Sequence, residues 1–126
     1  VMALEPEVLA MDEPTANLDP LSALEVLSLV AKLVKEKSIL AIVVEHRLEL
    51  ALQFATRLVA MDQGSVITDG DPRTVLPRAA RLVGYPPVVI VHELLRKRGL
   101  VKGYPPLTPE ALSNEVVEVV NRWRRS

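Results

Sequence analysis

The sequence predicts an α/β fold, a sheet of mostly parallel strands with flanking helices, followed by a helical C-terminal extension. Three observations predict it. Two apolar runs, Val8-Leu9-Ala10-Met11 and Ile39-Leu40-Ala41-Ile42-Val43-Val44, are separated by a long amphipathic segment. Uncharged runs of this kind suit strands buried on both faces of a parallel sheet, and a helix is the ordinary crossover between two such strands. Beyond Tyr85-Pro86-Pro87 only helical periodicity remains.

Taken in order, Val8 to Met11 reads as the first strand. Asp19-Pro20 opens the crossover helix, with Asp19 as N-cap and Pro20 at the first helical position. Leu21, Leu24, Leu27, Val30, Ala31 and Val34 fall on one stripe, while Lys32, Lys35 and Lys37 crowd the end, where cations suit the helix dipole. The second strand follows, then a short helical pattern over 47–55. Arg57 to Met61 and Ser65 to Thr68 flank Asp62-Gln63-Gly64, a hairpin signal with glycine where positive φ is expected. Asp71-Pro72 repeats the cap pairing, and Pro77 is expected to break that helix and start another. In the tail, a helix from Pro87 to Arg98 presents Val88, Val91 and Leu95 and stops at Gly99. A second, opening at Thr108-Pro109, sets Leu112, Val116, Val119, Val120 and Trp123 on a stripe that suits a core or dimer face. Tyr85-Pro86-Pro87 marks the boundary, so the chain divides into 1–84 and 85–126.

Composition removes several function classes. A net charge of −1 over 126 residues and a total of four aromatic side chains leave little for a nucleic-acid binder, so no nucleic-acid partner is expected. The absence of cysteine excludes disulfides, thiolate zinc ligation and thiol catalysis. No apolar run approaches the roughly 20 residues of a membrane span. His92-Glu93 lies within an amphipathic helix and reads as a surface or partner-facing pair; Arg96-Lys97-Arg98 and Arg122, Arg124 and Arg125 read as solvated helix ends.

The informative stretch is Val8-Leu9-Ala10-Met11-Asp12-Glu13-Pro14-Thr15-Ala16-Asn17-Leu18-Asp19. It puts two carboxylates at the C-terminal end of a buried strand, where ligands bind in open α/β sheets. Neighbouring residues there point in different directions, so one carboxylate can face a metal and the other a water. Hard oxygen ligands suit Mg²⁺ beside phosphates, and a second carboxylate can polarise water for attack on a phosphoryl group. The second strand ends Val43-Val44-Glu45-His46, and a helical crossover would bring His46 beside the first strand's end. A bare Asp-Glu pair is ordinarily a solvated loop pair, and a lone strand-end histidine is ordinarily structural. Their combination points to phosphoryl chemistry.

Residues 8–84 resemble the C-terminal half of an ABC-type ATPase domain, a P-loop NTPase. Leu9-Ala10-Met11-Asp12-Glu13 resembles its Walker B strand, Ala16-Asn17-Leu18-Asp19 its D-loop and Val44-Glu45-His46 its switch-histidine loop. Met61 to Val66 and Asp69 to Leu76 resemble its hairpin and following helix. Glu45-His46-Arg47-Leu48-Glu49, with Leu95 to Gly99 and Pro106 to Leu112, is similar to the energy-coupling-factor branch, the importers of metal ions and vitamins. The resemblance implies ATP and Mg²⁺ as cofactors. It implies Glu13 as catalytic base, His46 at the γ-phosphate, Asp12 in the Mg²⁺ shell, and Asp19 acting across a head-to-tail dimer. It also implies a second ATPase subunit and a transmembrane transporter subunit as partners, at the cytoplasmic face of the cell membrane. A non-transport ABC ATPase and a non-catalytic interaction module are the alternatives. None of the five glycines precedes a Lys-Ser or Lys-Thr pair, so this sequence holds no phosphate-cradling loop, nor a Leu-Ser-Gly-Gly-Gln signature. Val1-Met2-Ala3-Leu4 reads as the end of the helix that follows that signature, as in a piece of a longer protein, and the chain alone is expected to be inactive.

Overall fold

A computed structural model describes residues 6–126; the expected helix end at Val1 to Leu4 lies outside the described residues. The chain forms two compact units, Val1–Phe54 and Ala55–Ser126.

In the first unit, β1 (Val8–Asp12) pairs in parallel with β2 (Leu40–Val44), Val8 opposite Leu40 and Asp12 opposite Val44. The crossover is α1 (Pro20–Lys37). Asp19 caps it as expected, accepting from the amides of Leu21 and Ser22 at 3.0 and 3.1 Å, and Ser38 ends it at φ 52°. Ala23 and Leu27 of α1 are buried with Leu50 of α2 (Leu48–Ala51), and Leu24, Val43, Ala51 and Phe54 pack around them. Leu21, placed on the buried stripe by periodicity, instead faces out. The core covers the Val43 face of the strand pair. On the other face Val8, Leu40, Ile42 and Val44 are exposed, so the expectation of burial on both faces fails for these two strands. Alternate residues of a strand point to opposite faces, and only one face meets α1.

In the second unit, β3 (Leu58–Asp62) and β4 (Ser65–Gly70) form the expected antiparallel hairpin, with a bulge between Ala60 and Met61. Gln63 and Gly64 turn at φ 45° and 77°, both left-handed as a two-residue hairpin loop of this twist requires. Arg57 donates two hydrogen bonds of 2.7 Å to the Asp69 carboxylate. At Gly70 a Cβ would stand 3.3 Å from a Val75 methyl, at φ 150°, so glycine is what lets β4 pass close to α3 (Pro72–Val83). Asp71 caps α3, whose buried face is Pro72, Leu76, Ala79 and Ala80. Contrary to expectation, Pro77 does not divide the helix. Pro77 and Arg73, whose carbonyl would have received the missing amide, are both exposed, so water can satisfy that carbonyl.

The tail forms α4 (Pro87–Lys97) and α5 (Pro109–Arg125), which contact each other. Thr108 caps α5, and Gly99 follows α4 at φ 72°. The buried face of α4 is Val88, Val89 and His92, rotated from the expected Val88, Val91 and Leu95. His92 is therefore not a surface residue. It is fully buried, 3.7 Å from Glu115, with no hydrogen-bond partner at either ring nitrogen or at Glu115 Oε2. On α5 Leu112 is buried, Val116 and Val119 are half-buried, and Val120 and Trp123 are exposed.

Candidate active site at the strand ends

The parallel register puts the ends of β1 and β2 side by side. Asp12 closes β1 opposite Val44, and the next amide, Glu13 N–H, donates to the Val44 carbonyl at 2.9 Å. At Glu13 the backbone leaves the strand with φ 46°, a left-handed conformation unusual for a residue with a side chain. The chain then folds into tight turns, with Ala16 N–H donating to the Glu13 carbonyl and Leu18 N–H to the Thr15 carbonyl, both at 3.1 Å.

The loop after β2 brings His46 to Glu13. His46 Nε2 lies 2.8 Å from Glu13 Oε1, and the two side chains are 70% and 44% exposed. A carboxylate in contact with an imidazole and open to water can accept a proton while its orientation is held. Asp12 is exposed at the same strand end. Asp19 lies at the start of α1 with its carboxylate occupied: Oδ1 accepts the two helix amides and Oδ2 the Ser22 hydroxyl at 2.5 Å. The Ser22 hydrogen bond, first, and those amides hold the Asp19 carboxyl below its ordinary pKa.

Three residues given no separate role by the sequence reading tie these loops together. Thr15, fully buried, donates its hydroxyl to Glu45 Oε2 at 2.5 Å. Glu45 Oε1 accepts the amides of His46 and Arg47 at 3.0 and 3.2 Å. Arg47 Nη1 donates to the carbonyls of Thr15 and Leu18 at 3.3 and 3.1 Å. Burial pushes the Glu45 carboxyl up. The Thr15 hydroxyl, the two amides and the Arg47 charge outweigh it, and the group sits below the ordinary glutamate value. Thr15 and Glu45 are 30 residues apart, and the only signal in the sequence was a small hydroxyl after Pro14 and an acid before His46.

Among the described residues no group of three or more His, Cys, Asp or Glu side chains could hold a metal ion. Asp12, exposed at the end of β1, offers one carboxylate, the ligand class Mg²⁺ takes beside water and phosphates. The residues present do not supply a backbone cradle for a β-phosphate. No described helix is long and apolar enough to cross a membrane.

No protein-family model matches the chain. It is 39% identical to a putative ABC transporter ATP-binding protein of Pyrococcus horikoshii, over 98% of this chain and 43% of that protein. It is 37% identical to the energy-coupling factor transporter ATP-binding protein EcfA2 of Bacillus cereus, over 97% of this chain and 43% of the relative. Among solved structures it matches cbiO1 from Clostridium perfringens, part of the ABC transporter complex cbiONQ. That match has a TM-score of 0.59 and 29% identity, and covers 78% of this chain and 37% of the other. The chain spans about two-fifths of the length of these relatives. Along nearly its whole length the chain is thus homologous to ABC transporter ATP-binding proteins, energy-coupling-factor members among them, and it shares their P-loop NTPase α/β fold.

Proposed function

We propose that this chain supplies the water-activating side of the ATP hydrolysis site in an ABC-type ATPase that powers an energy-coupling-factor importer of a metal ion or vitamin. The observation that carries this reading is the 2.8 Å contact between Glu13 and His46 at the ends of two neighbouring parallel strands. The names of the relatives, ABC transporter and energy-coupling factor ATP-binding proteins, support the transport assignment. Glu13 is the general base and takes a proton from the attacking water. His46 orients Glu13 and donates toward the γ-phosphate. Asp12 would hold Mg²⁺, which would offset phosphate charge. Asp19 acts across a head-to-tail pair of ATPase subunits, which docks on a transmembrane subunit at the cytoplasmic face of the membrane. Residues 1–84 are the catalytic part, and 85–126 form a helical extension that holds two subunits together.

The test is Glu13→Gln in the complete ATPase that carries this segment. Turnover should fall at least about 10²-fold, the range for removing a general base, with ATP binding retained. Near-normal turnover would overturn the reading. The 126-residue chain by itself, without a phosphate cradle, should neither bind ATP tightly nor turn it over. Removing residues 85–126 from the complete ATPase should lower its solution mass in the absence of nucleotide; an unchanged dimer would refute the role given to the extension.

A further inference from the structure

Resting on the hydrolytic reading above, we propose that Thr15, Glu45 and Arg47 are positioning residues: a clasp that sets His46 against Glu13 and ties both to the loop leading into Asp19.

The contacts close a ring. The Thr15 hydroxyl meets one oxygen of Glu45, and the other oxygen accepts the amides of His46 and Arg47. The Arg47 side chain then returns to the Thr15 carbonyl and reaches the Leu18 carbonyl as well. The loop after β1 and the loop after β2 are thus held at both ends of the turn from Thr15 to Leu18.

The alternative is that the Glu13–His46 contact fixes the geometry itself. That pair is largely exposed, and exposed pairs of this kind contribute little order. The clasp has a fully buried hydroxyl, and its acceptor or donor is ionised at each side-chain link, the stronger class of hydrogen bond. The exposed pair therefore rides on the clasp. Because Glu45 bonds the His46 amide directly, a shift of the loop before Asp19 moves the His46 backbone. The clasp thereby links the residue placed at the subunit boundary to the one beside the base.

The experiment is steady-state ATP hydrolysis by the complete ATPase carrying single and double substitutions. Thr15→Val removes one hydrogen bond at nearly constant shape and should lower kcat about tenfold, within the range that a small misplacement of a reacting group produces. KM for ATP should hold, and Thr15→Ser should restore kcat. Arg47→Lys, which keeps the charge but replaces the planar Nη1 donor that serves both carbonyls, should lower kcat in the same way. In a His46→Ala background Thr15→Val should have no further effect, whereas a loss of folding would persist there. Unchanged kcat in Thr15→Val and Arg47→Lys, no rescue by serine, or a full effect without His46 would each overturn the clasp. If Thr15→Val does not fold, Arg47→Lys alone decides. Should Glu13→Gln also keep normal turnover, the hydrolytic reading itself fails; if Glu13→Gln is inactive while the clasp variants are normal, only the clasp fails.

Discussion

The two histidines of this chain sit in opposite surroundings. His46, on the loop after β2, is open to solvent and meets a carboxylate oxygen at 2.8 Å. His92, on α4, is fully buried, and its nearest carboxylate oxygen, on Glu115, stands at 3.7 Å without forming a hydrogen bond. The exposed imidazole is well partnered at modest energetic benefit; the buried one lacks partners where an unmade hydrogen bond is most costly. Exposure with good geometry leaves a side chain able to exchange protons. Burial without it gives a group whose effect falls on stability.

The contrast breaks first at His46. His46→Ala should lower ATP turnover of the complete ATPase by about 10²-fold with its thermal midpoint unchanged, because an exposed side chain is lost. A drop in midpoint with turnover retained would reverse the assignment. Next comes the buried histidine. His92→Leu removes two buried ring nitrogens that have no hydrogen-bond partner and should stabilise the fold by about 1–3 kcal/mol in denaturant unfolding. Adding Glu115→Met, at a position whose side chain is 36% exposed, should add less than that. ATP turnover should not follow these changes.

A smaller effect separates the site loop from ordinary surface carboxylates. Glu45 has a lowered folded-state pKa. Its contribution is therefore fully present above the ordinary glutamate value and is lost as pH falls through the lower, folded value. Hydrogen exchange at the His46 and Arg47 amides should stay protected at pH about 4.3, where an unperturbed glutamate is half protonated, and lose protection only below it. Loss of protection already above that pH would contradict the geometry. The smallest effect lies in the hairpin. Gln63 sits at φ 45° in a two-residue turn where asparagine is at ease, so Gln63→Asn should stabilise by a few tenths of a kcal/mol without touching activity.

What could be read from the sequence was local. Asp19-Pro20, Asp71-Pro72 and Thr108-Pro109 each open a helix as their chemistry requires, and the Gln63-Gly64 turn follows from backbone preference alone. Asp12, Glu13 and His46 were legible because each closes or follows an apolar run whose parallel pairing brings the ends together. The failures are tertiary. Pro77 survives in a helix because its position meets water, and His92 is buried because α4 turns a different face toward the core than periodicity suggested. Thr15, Glu45 and Arg47 escaped because nothing local marks a hydroxyl that will meet a carboxylate 30 residues on.

The left-handed backbone at Glu13 constrains how position 13 can be varied in a mutant library. At φ 46° a β-branched side chain is sterically penalised, whereas glycine, asparagine and aspartate are tolerated. A saturation library at this codon would mix two selections, one for a carboxylate and one for a conformation. Valine or isoleucine would report the second as much as the first. Glutamine changes the chemistry while keeping an unbranched Cβ, so it isolates the proton-accepting role, and glycine compared with glutamine, both lacking a carboxylate, isolates the backbone. Substitution tolerance at this position is thus a joint property of charge and torsion, and only pairs of variants matched in one can be interpreted for the other.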